Sequence, residues 1–167
     1  MLLIYTGNGK GKTSACVGQA LRALGHDMRV FFAQFLKKDV GAGEQRMLRR
    51  LLGENFFPGG AGFFRTEAER PLHRKHAEIT FDRCKKALPA SDMLIMDEAL
   101  YALGCGLLTE DELREIIALA RQHGVHLVLS GRGLPEWLLD EAELVTIMGE
   151  EKHPAQHGGK ATKGIEF

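Results

Sequence analysis

Gly7-Asn8-Gly9-Lys10-Gly11-Lys12-Thr13 is the stretch that decides the fold. Ahead of it, residues 2–5 form an apolar run too short for a helix and stopped by glycines, which reads as a buried strand. Beyond it, Val17, Leu21 and Leu24 recur at helical spacing over residues 12–24, and Gly25 supplies the stop signal. A glycine-rich turn between a strand and a helix N-terminus is an anion site, because unpaired N–H groups and the helix dipole attract phosphate. The usual phosphate-loop pattern, G-x-x-x-x-G-K-[ST], is met by Gly11-Lys12-Thr13, while its first position falls on Thr6. Gly7, Asn8, Gly9, Lys10, Gly11, Lys12, Thr13 and Ser14 are therefore the candidate nucleotide-binding set. Lys12 supplies charge from an exposed loop position and Thr13 a hydroxyl for magnesium. The bland alternative is a glycine turn with ordinary surface lysines. A dinucleotide fingerprint is not met, since Lys12 stands where its third glycine belongs, and this argues against NAD.

Outward from the loop, strand and helix signals alternate. Residues 28–35, 93–96, 125–129 and 144–148 read as further strands. Helices are expected over 44–52 and 71–87, after the capping box Thr109/Glu112 up to Gly124, and after Pro135. Residues 55–64, rich in Gly and Phe and containing Pro58, read as a loop with at most one short strand. The order implies an α/β protein, a single-domain P-loop NTPase-like three-layer fold with a mostly parallel central sheet. Residues 1–167 are read as one nucleotide-binding domain, whose polar tail 149–167 folds over or near the site. Composition agrees: 44% hydrophobic and 26% charged residues suit a globular core. The 22 basic and 22 acidic residues, a net charge of +0, lack the footprint of a nucleic-acid binder. No leader or run of ~18 apolar residues is seen, and the 3 cysteines have no paired spacing, so a reducing cytoplasm without membrane contact is expected.

Asp97 and Glu98 close the strand 93–96 on the sheet edge that carries the loop. With Thr13 they form an oxygen donor set suited to Mg²⁺ beside ATP. Their alternative role is to cap the Ala99-Leu100-Tyr101-Ala102 segment. Arg132, between Gly131 and Gly133, follows a strand on the same edge and can reach a phosphate. His73 and His76 lie three apart on a helix, but with Arg74 and Lys75 between them they read as a solvated face. Cys16, Cys84 and Cys105 read as small core residues.

Taken together these segments resemble one family. Tyr5-Thr6-Gly7-Asn8-Gly9-Lys10-Gly11-Lys12-Thr13 is similar to the variant phosphate loop of the P-loop corrinoid adenosyltransferases. Gln34-Phe35, Gly43-Glu44, Asp97-Glu98-Ala99-Leu100-Tyr101-Ala102-Leu103, Ser130-Gly131-Arg132-Gly133, Lys152-His153-Pro154 and Lys160-Ala161-Thr162-Lys163-Gly164-Ile165-Glu166-Phe167 resemble its later motifs in order. The resemblance implies that cobalt(I) of a reduced corrinoid attacks the 5′ carbon of ATP and releases triphosphate, in adenosylcobalamin synthesis or salvage. It implies catalytic roles for Lys12, Glu98, Arg132 and Phe63, with Mg²⁺ on Thr13 and on Asp97 or Glu98. ATP and the corrinoid are the implied small-molecule partners, and an electron-donating reductase or flavoprotein is a further one. Homodimerisation is left open.

The chain departs from the family twice. The family usually carries a covering segment before the first strand, which here begins at Leu2, and its Phe-x-Trp pair reads Phe63-Phe64-Arg65. Phe63 is expected to press against the corrin, with Phe64 as the substitute for the second aromatic. On physics alone the loop's Phe residues can equally fold back into the core. The competing functions are a P-loop kinase or ATPase, which shares the loop and acids, and a corrinoid or nucleotide carrier without turnover.

Overall fold

The computed structural model describes residues 1–166. Phe167, the last residue of the 160–167 motif, lies outside the described residues. The chain runs β1 (Leu2–Thr6), α1 (Lys12–Leu24), β2 (Val30–Gln34), α2 (Gly43–Leu52), β3 (Phe56–Pro58) and α3 (Arg70–Ala87). There follow β4 (Met93–Asp97), α4 (Ala99–Gly104), α5 (Glu110–Gln122), β5 (His126–Ser130), α6 (Glu136–Glu141) and β6 (Leu144–Ile147). The strands form a single sheet in the order β3-β2-β4-β5-β1-β6, and every pairing is parallel, where a mostly parallel sheet was expected.

Crossover direction fixes the layers. The connections from β1 to β2 and from β2 to β3 both step towards the β3 edge, whereas those leaving β3, β4 and β5 step towards β6. Right-handed crossovers in opposite directions must lie on opposite faces. Accordingly α1 and α2 pack with Leu3, Val30, Phe32, Ile95 and Val128. Helices α3, α4, α5 and α6 pack on the alternate residues Ile4, Phe31, Ala33, Leu94, Met96, Leu127 and Leu129. Both strand faces are therefore apolar, as the unbroken runs required. A fully buried residue such as Ile4, Phe32 or Ile95 stabilises the fold by about 1.5–3 kcal/mol.

The capping box before α5 forms as its sequence predicts: the Glu112 amide donates to Thr109 Oγ1 at 3.2 Å, and the Thr109 amide donates to Glu112 Oε2 at 2.8 Å. Two expectations need correction. His73 is buried, not solvated, because it continues the inward stripe of Ala77, Thr80 and Cys84 on α3, and its ring stands edge-on to Phe64 at 5.4 Å. His76 is half-buried, its Nδ1 lying 2.9 Å from the Gly59 carbonyl oxygen. Among the cysteines, Cys16 and Cys84 are buried core residues whose thiols burial pushes up and keeps inert, while Cys105 is half-buried.

Candidate active site

The carboxyl ends of four adjacent strands, β2, β4, β5 and β1, converge at one edge and deliver Gln34, Asp97, Ser130 and the loop 7–11. All four strands end their apolar run in a buried polar residue, Thr6 closing β1. Asp97 is the hub. Its carboxylate accepts from Ser130 Oγ at 2.7 Å, Lys37 Nζ at 3.0 Å, Gln34 Nε2 at 3.1 Å and Thr13 Oγ1 at 3.1 Å. A carboxylate with no exposed surface is tolerable only when satisfied in this way. Gln34 is held in turn by Gln45 of α2, whose Nε2 donates to Gln34 Oε1 at 3.0 Å.

The loop is shaped by its glycines where the chain makes close approaches. Gly7 (φ 106) and Gly11 (φ 122) are in the left-handed region, and side chains at Gly7 or Gly9 would overlap the Met148–Gly149 backbone. The Gly9 amide donates to Met148 O at 2.9 Å. Lys10 Nζ donates to Ile165 O at 2.6 Å, so the 149–166 segment reaches the loop.

Lys12 departs from the exposed position expected of it. It is only 7% exposed, and its ammonium donates to Gly7 O at 2.8 Å and Gly9 O at 2.7 Å, because the loop curls its carbonyls over the first turn of α1. Burial lowers its pKa, against the opposing pull of Glu98. Thr13 stands one residue on, facing Asp97. Ser14 is exposed. Arg132 is exposed and extends its Nη2 to 3.4 Å from Asn8 O, placing a guanidinium at the loop. Gly131 (φ 139) lets that turn pass under α4, where a Cβ would lie 2.5 Å from the Tyr101 amide nitrogen.

Glu98 has left-handed backbone (φ 63), and its amide donates to Ser130 Oγ at 3.0 Å. Burial, and secondarily the charge of Asp97, raises its carboxyl above the ordinary range. Thr13 and Asp97 thus offer hydroxyl and carboxylate oxygens at one point, and a cation fits between them. The Lys37 ammonium lies there, 2.6 Å from Thr13 Oγ1 and 3.0 Å from Asp97 Oδ2. Lys37, Gln34, Gln45 and Ser130 had no assigned role from sequence. The signal available for Gln34 and Ser130 was a polar residue closing an apolar strand.

The aromatic loop divides. Phe56 joins the core, Phe57 and Phe64 pack against it, and Phe63 alone is 83% exposed, with the Arg65 guanidinium 5.9 Å from its ring centre.

A strand, a glycine-rich loop over a helix N-terminus, and a buried strand-end aspartate facing the helix hydroxyl define a P-loop NTPase-like nucleotide-binding protein. More narrowly, the chain belongs to the family described as ATP:corrinoid adenosyltransferase BtuR/CobO/CobP, whose model matches residues 1–167. It is 36% identical to a corrinoid adenosyltransferase of Pseudomonas aeruginosa, over 100% of this chain and 83% of that one. A corrinoid adenosyltransferase of Salmonella typhimurium is 32% identical over 100% of this chain and 85% of its own. One from Sinorhizobium is 31% identical over 100% of this chain and 80% of its own. No helix among the described residues is long and apolar enough to cross a membrane.

Proposed function

We propose that this chain transfers the 5′-deoxyadenosyl group of ATP to the cobalt(I) of a reduced corrinoid, with residues 7–14 holding the triphosphate that leaves. Family membership supplies the reaction. The observation that carries the assignment of residues is the phosphate loop set against a buried Asp97 and flanked by Lys12 and Arg132.

Cobalt in the substrate is itself the nucleophile, so no side chain need be activated. The chain's task is to hold the 5′ carbon in line and to stabilise charge building on the departing triphosphate. Loop N–H groups, the start of α1, the Lys12 ammonium and the Arg132 guanidinium converge on that charge. For Lys12 this requires release from Gly7 O and Gly9 O, an exchange of neutral carbonyls for phosphate oxygens. Thr13 and Asp97 hold Mg²⁺ in this reading, with Glu98 beside them, and the ion would neutralise part of the phosphate charge. Phe63, exposed on the loop 59–65, meets the corrinoid and keeps water and the corrinoid's own base from its face. The 149–166 segment lies over the nucleotide, tied to the loop through Lys10 and Gly9. An electron-donating reductase or flavoprotein, acting in the cytoplasm, supplies the cobalt(I).

The test is anaerobic incubation with ATP, Mg²⁺ and chemically reduced cobalamin. The cobalt–carbon absorption change should appear together with an equal amount of inorganic triphosphate, and ATP should persist when the corrinoid is withheld. Steady ADP release without corrinoid would assign a kinase or ATPase instead.

A further inference from the structure

A positive charge already sits where the divalent cation of the proposed site would go. Lys37 Nζ donates to Thr13 Oγ1 at 2.6 Å and to Asp97 Oδ2 at 3.0 Å, and a second carboxylate, Glu44 Oε1, stands 3.9 Å away. The lysine does not reach the seat by chance of a floppy loop. Leu36 before it has φ 63, the Lys37 amide donates to Phe35 O at 2.7 Å, and the Gly60 amide donates to Lys37 O at 3.1 Å. A side chain at Gly60 would overlap the Leu36–Lys37 backbone, so close packing of the two turns also fixes the lysine's origin.

Asp97 is fully buried, and a carboxylate there needs a counter-charge at all times. An ammonium and a metal ion cannot share the space between Thr13 Oγ1 and Asp97. We infer that Lys37 is a resident counter-ion of Asp97 that the divalent cation displaces, and that Glu44 receives the released ammonium. Lys37 thereby sets the affinity of the metal, and it keeps the site assembled between turnovers. The idea rests on the reading of Thr13 and Asp97 as metal ligands. Glu44 is suited to its part: it lies in the first turn of α2 with a partly exposed side chain, and needs only a small swing of Lys37 to pair with it.

The inference separates from simple through-space repulsion because it requires the lysine to move. In the full-length protein without nucleotide, Mg²⁺ should speed reductive methylation of Lys37, read by peptide mass spectrometry, since the ammonium leaves a partly buried position. Mn²⁺ titrated into the same protein, with free ion counted by electron paramagnetic resonance, should bind about tenfold more tightly in Lys37→Met and several-fold more weakly in Glu44→Gln. Methylation of Lys37 that is unchanged or slowed by Mg²⁺ overturns the inference, as does Mn²⁺ affinity that is equal or weaker in Lys37→Met. If Lys37→Met does not fold, equal or tighter Mn²⁺ binding by Glu44→Gln overturns it. Asp97→Asn is the control for the underlying reading: Mn²⁺ binding that survives it, or is absent from the parent with and without ATP, removes the metal site itself. A parent that binds Mn²⁺ through Asp97 while Lys37 stays put leaves the metal site standing and removes only the counter-ion role.

Discussion

Substituting Gly9 by Ala tests how the loop and the segment after β6 hold each other. A Cβ at Gly9 would overlap Gly149 O, lie 2.7 Å from Gly149 C and lie 2.9 Å from Met148 O. All three atoms are backbone, so no side-chain rotation relieves the clash. Either the loop or the 148–149 backbone must move, and the Gly9 N–H bond to Met148 O at 2.9 Å is lost as it does. Overpacking costs about 1–3 kcal/mol. The hydrogen bond contributes roughly 0.5–1.5 kcal/mol. Together they predict a loss of about 2–4 kcal/mol, which for a chain of this size lowers Tm by roughly 4–16 °C. The matched control is Gly18→Ala in α1, where a Cβ meets nothing within 4 Å. There the same chemical change removes a helix-interior glycine and should stabilise by about 0.5–1 kcal/mol. Thermal unfolding of both variants gives the signs, and tryptic cleavage after the exposed Lys152 should accelerate only in Gly9→Ala. A Gly9→Ala protein as stable as the parent, with Lys152 equally protected, would refute the packing of this segment on the loop.

Lys12→Ala should abolish most adenosylation while the protein still folds, at a cost of roughly 1–3 kcal/mol in urea unfolding because the ammonium's bonds to Gly7 O and Gly9 O are lost; unchanged turnover would remove the phosphate-loop role. Phe63→Ala, at an exposed position, should change stability by less than about 0.5 kcal/mol, yet slow the reaction strongly with cobalt(II) corrinoid and a mild reductant and far less with cobalt(I). Equal losses in the two assays would reduce Phe63 to general binding. Acid should weaken the far end of the sheet through Asp92, which the Arg29 guanidinium and amide hold at about 2, below the unfolded value of about 3.9. A depressed carboxyl contributes stability above its unfolded pKa and loses it as pH falls towards 2, so Asp92→Asn should flatten the decline of Tm between about pH 4 and 2. A decline as steep as the parent's would show that other carboxylates carry it.

Where one segment's own residues decide its structure, the sequence is transparent. Helix α1 occupies residues 12–24 because helical spacing and Gly25 are both local, although its buried stripe is Cys16, Ala20 and Ala23 while Leu21 is exposed, and the phosphate loop is legible because it too is local. The 55–64 segment was less readable, since Phe56–Pro58 becomes a strand only by pairing with Phe32, Ala33 and Gln34. At His73 the charged neighbours dominate the local composition and suggest a solvated face, although its spacing to Ala77, Thr80 and Cys84 marks an inward stripe. Lys37 left no signal at all. It lies in a polar stretch, Lys37-Lys38-Asp39, and its contact with Asp97 spans 60 positions. Nothing in a local pattern says which of two adjacent lysines turns inward.

The same distant contact links the proposed metal seat to the aromatic loop. The turn at Lys37 touches the Thr13–Asp97 pair on one side and Gly60 on the other, and Gly60 belongs to the loop that presents Phe63. Strand β3 binds that loop's start to β2, whose final residue Gln34 donates to Asp97 while its carbonyl accepts from the Gly59 amide at 3.0 Å. Two short paths of hydrogen bonds therefore run from the proposed metal seat to the aromatic loop, one through Lys37 and one through Gln34 at the end of β2. In the proposed reading, a cation that displaces Lys37 would act on a turn already packed against Gly60, so the proposed metal seat and the aromatic loop would share a mechanical support. Disrupting that support with Gly60→Ala should impair Mn²⁺ binding and cobalt(II) adenosylation together, because its Cβ would overlap Leu36 and Lys37 backbone. Loss of one without the other would separate the two halves.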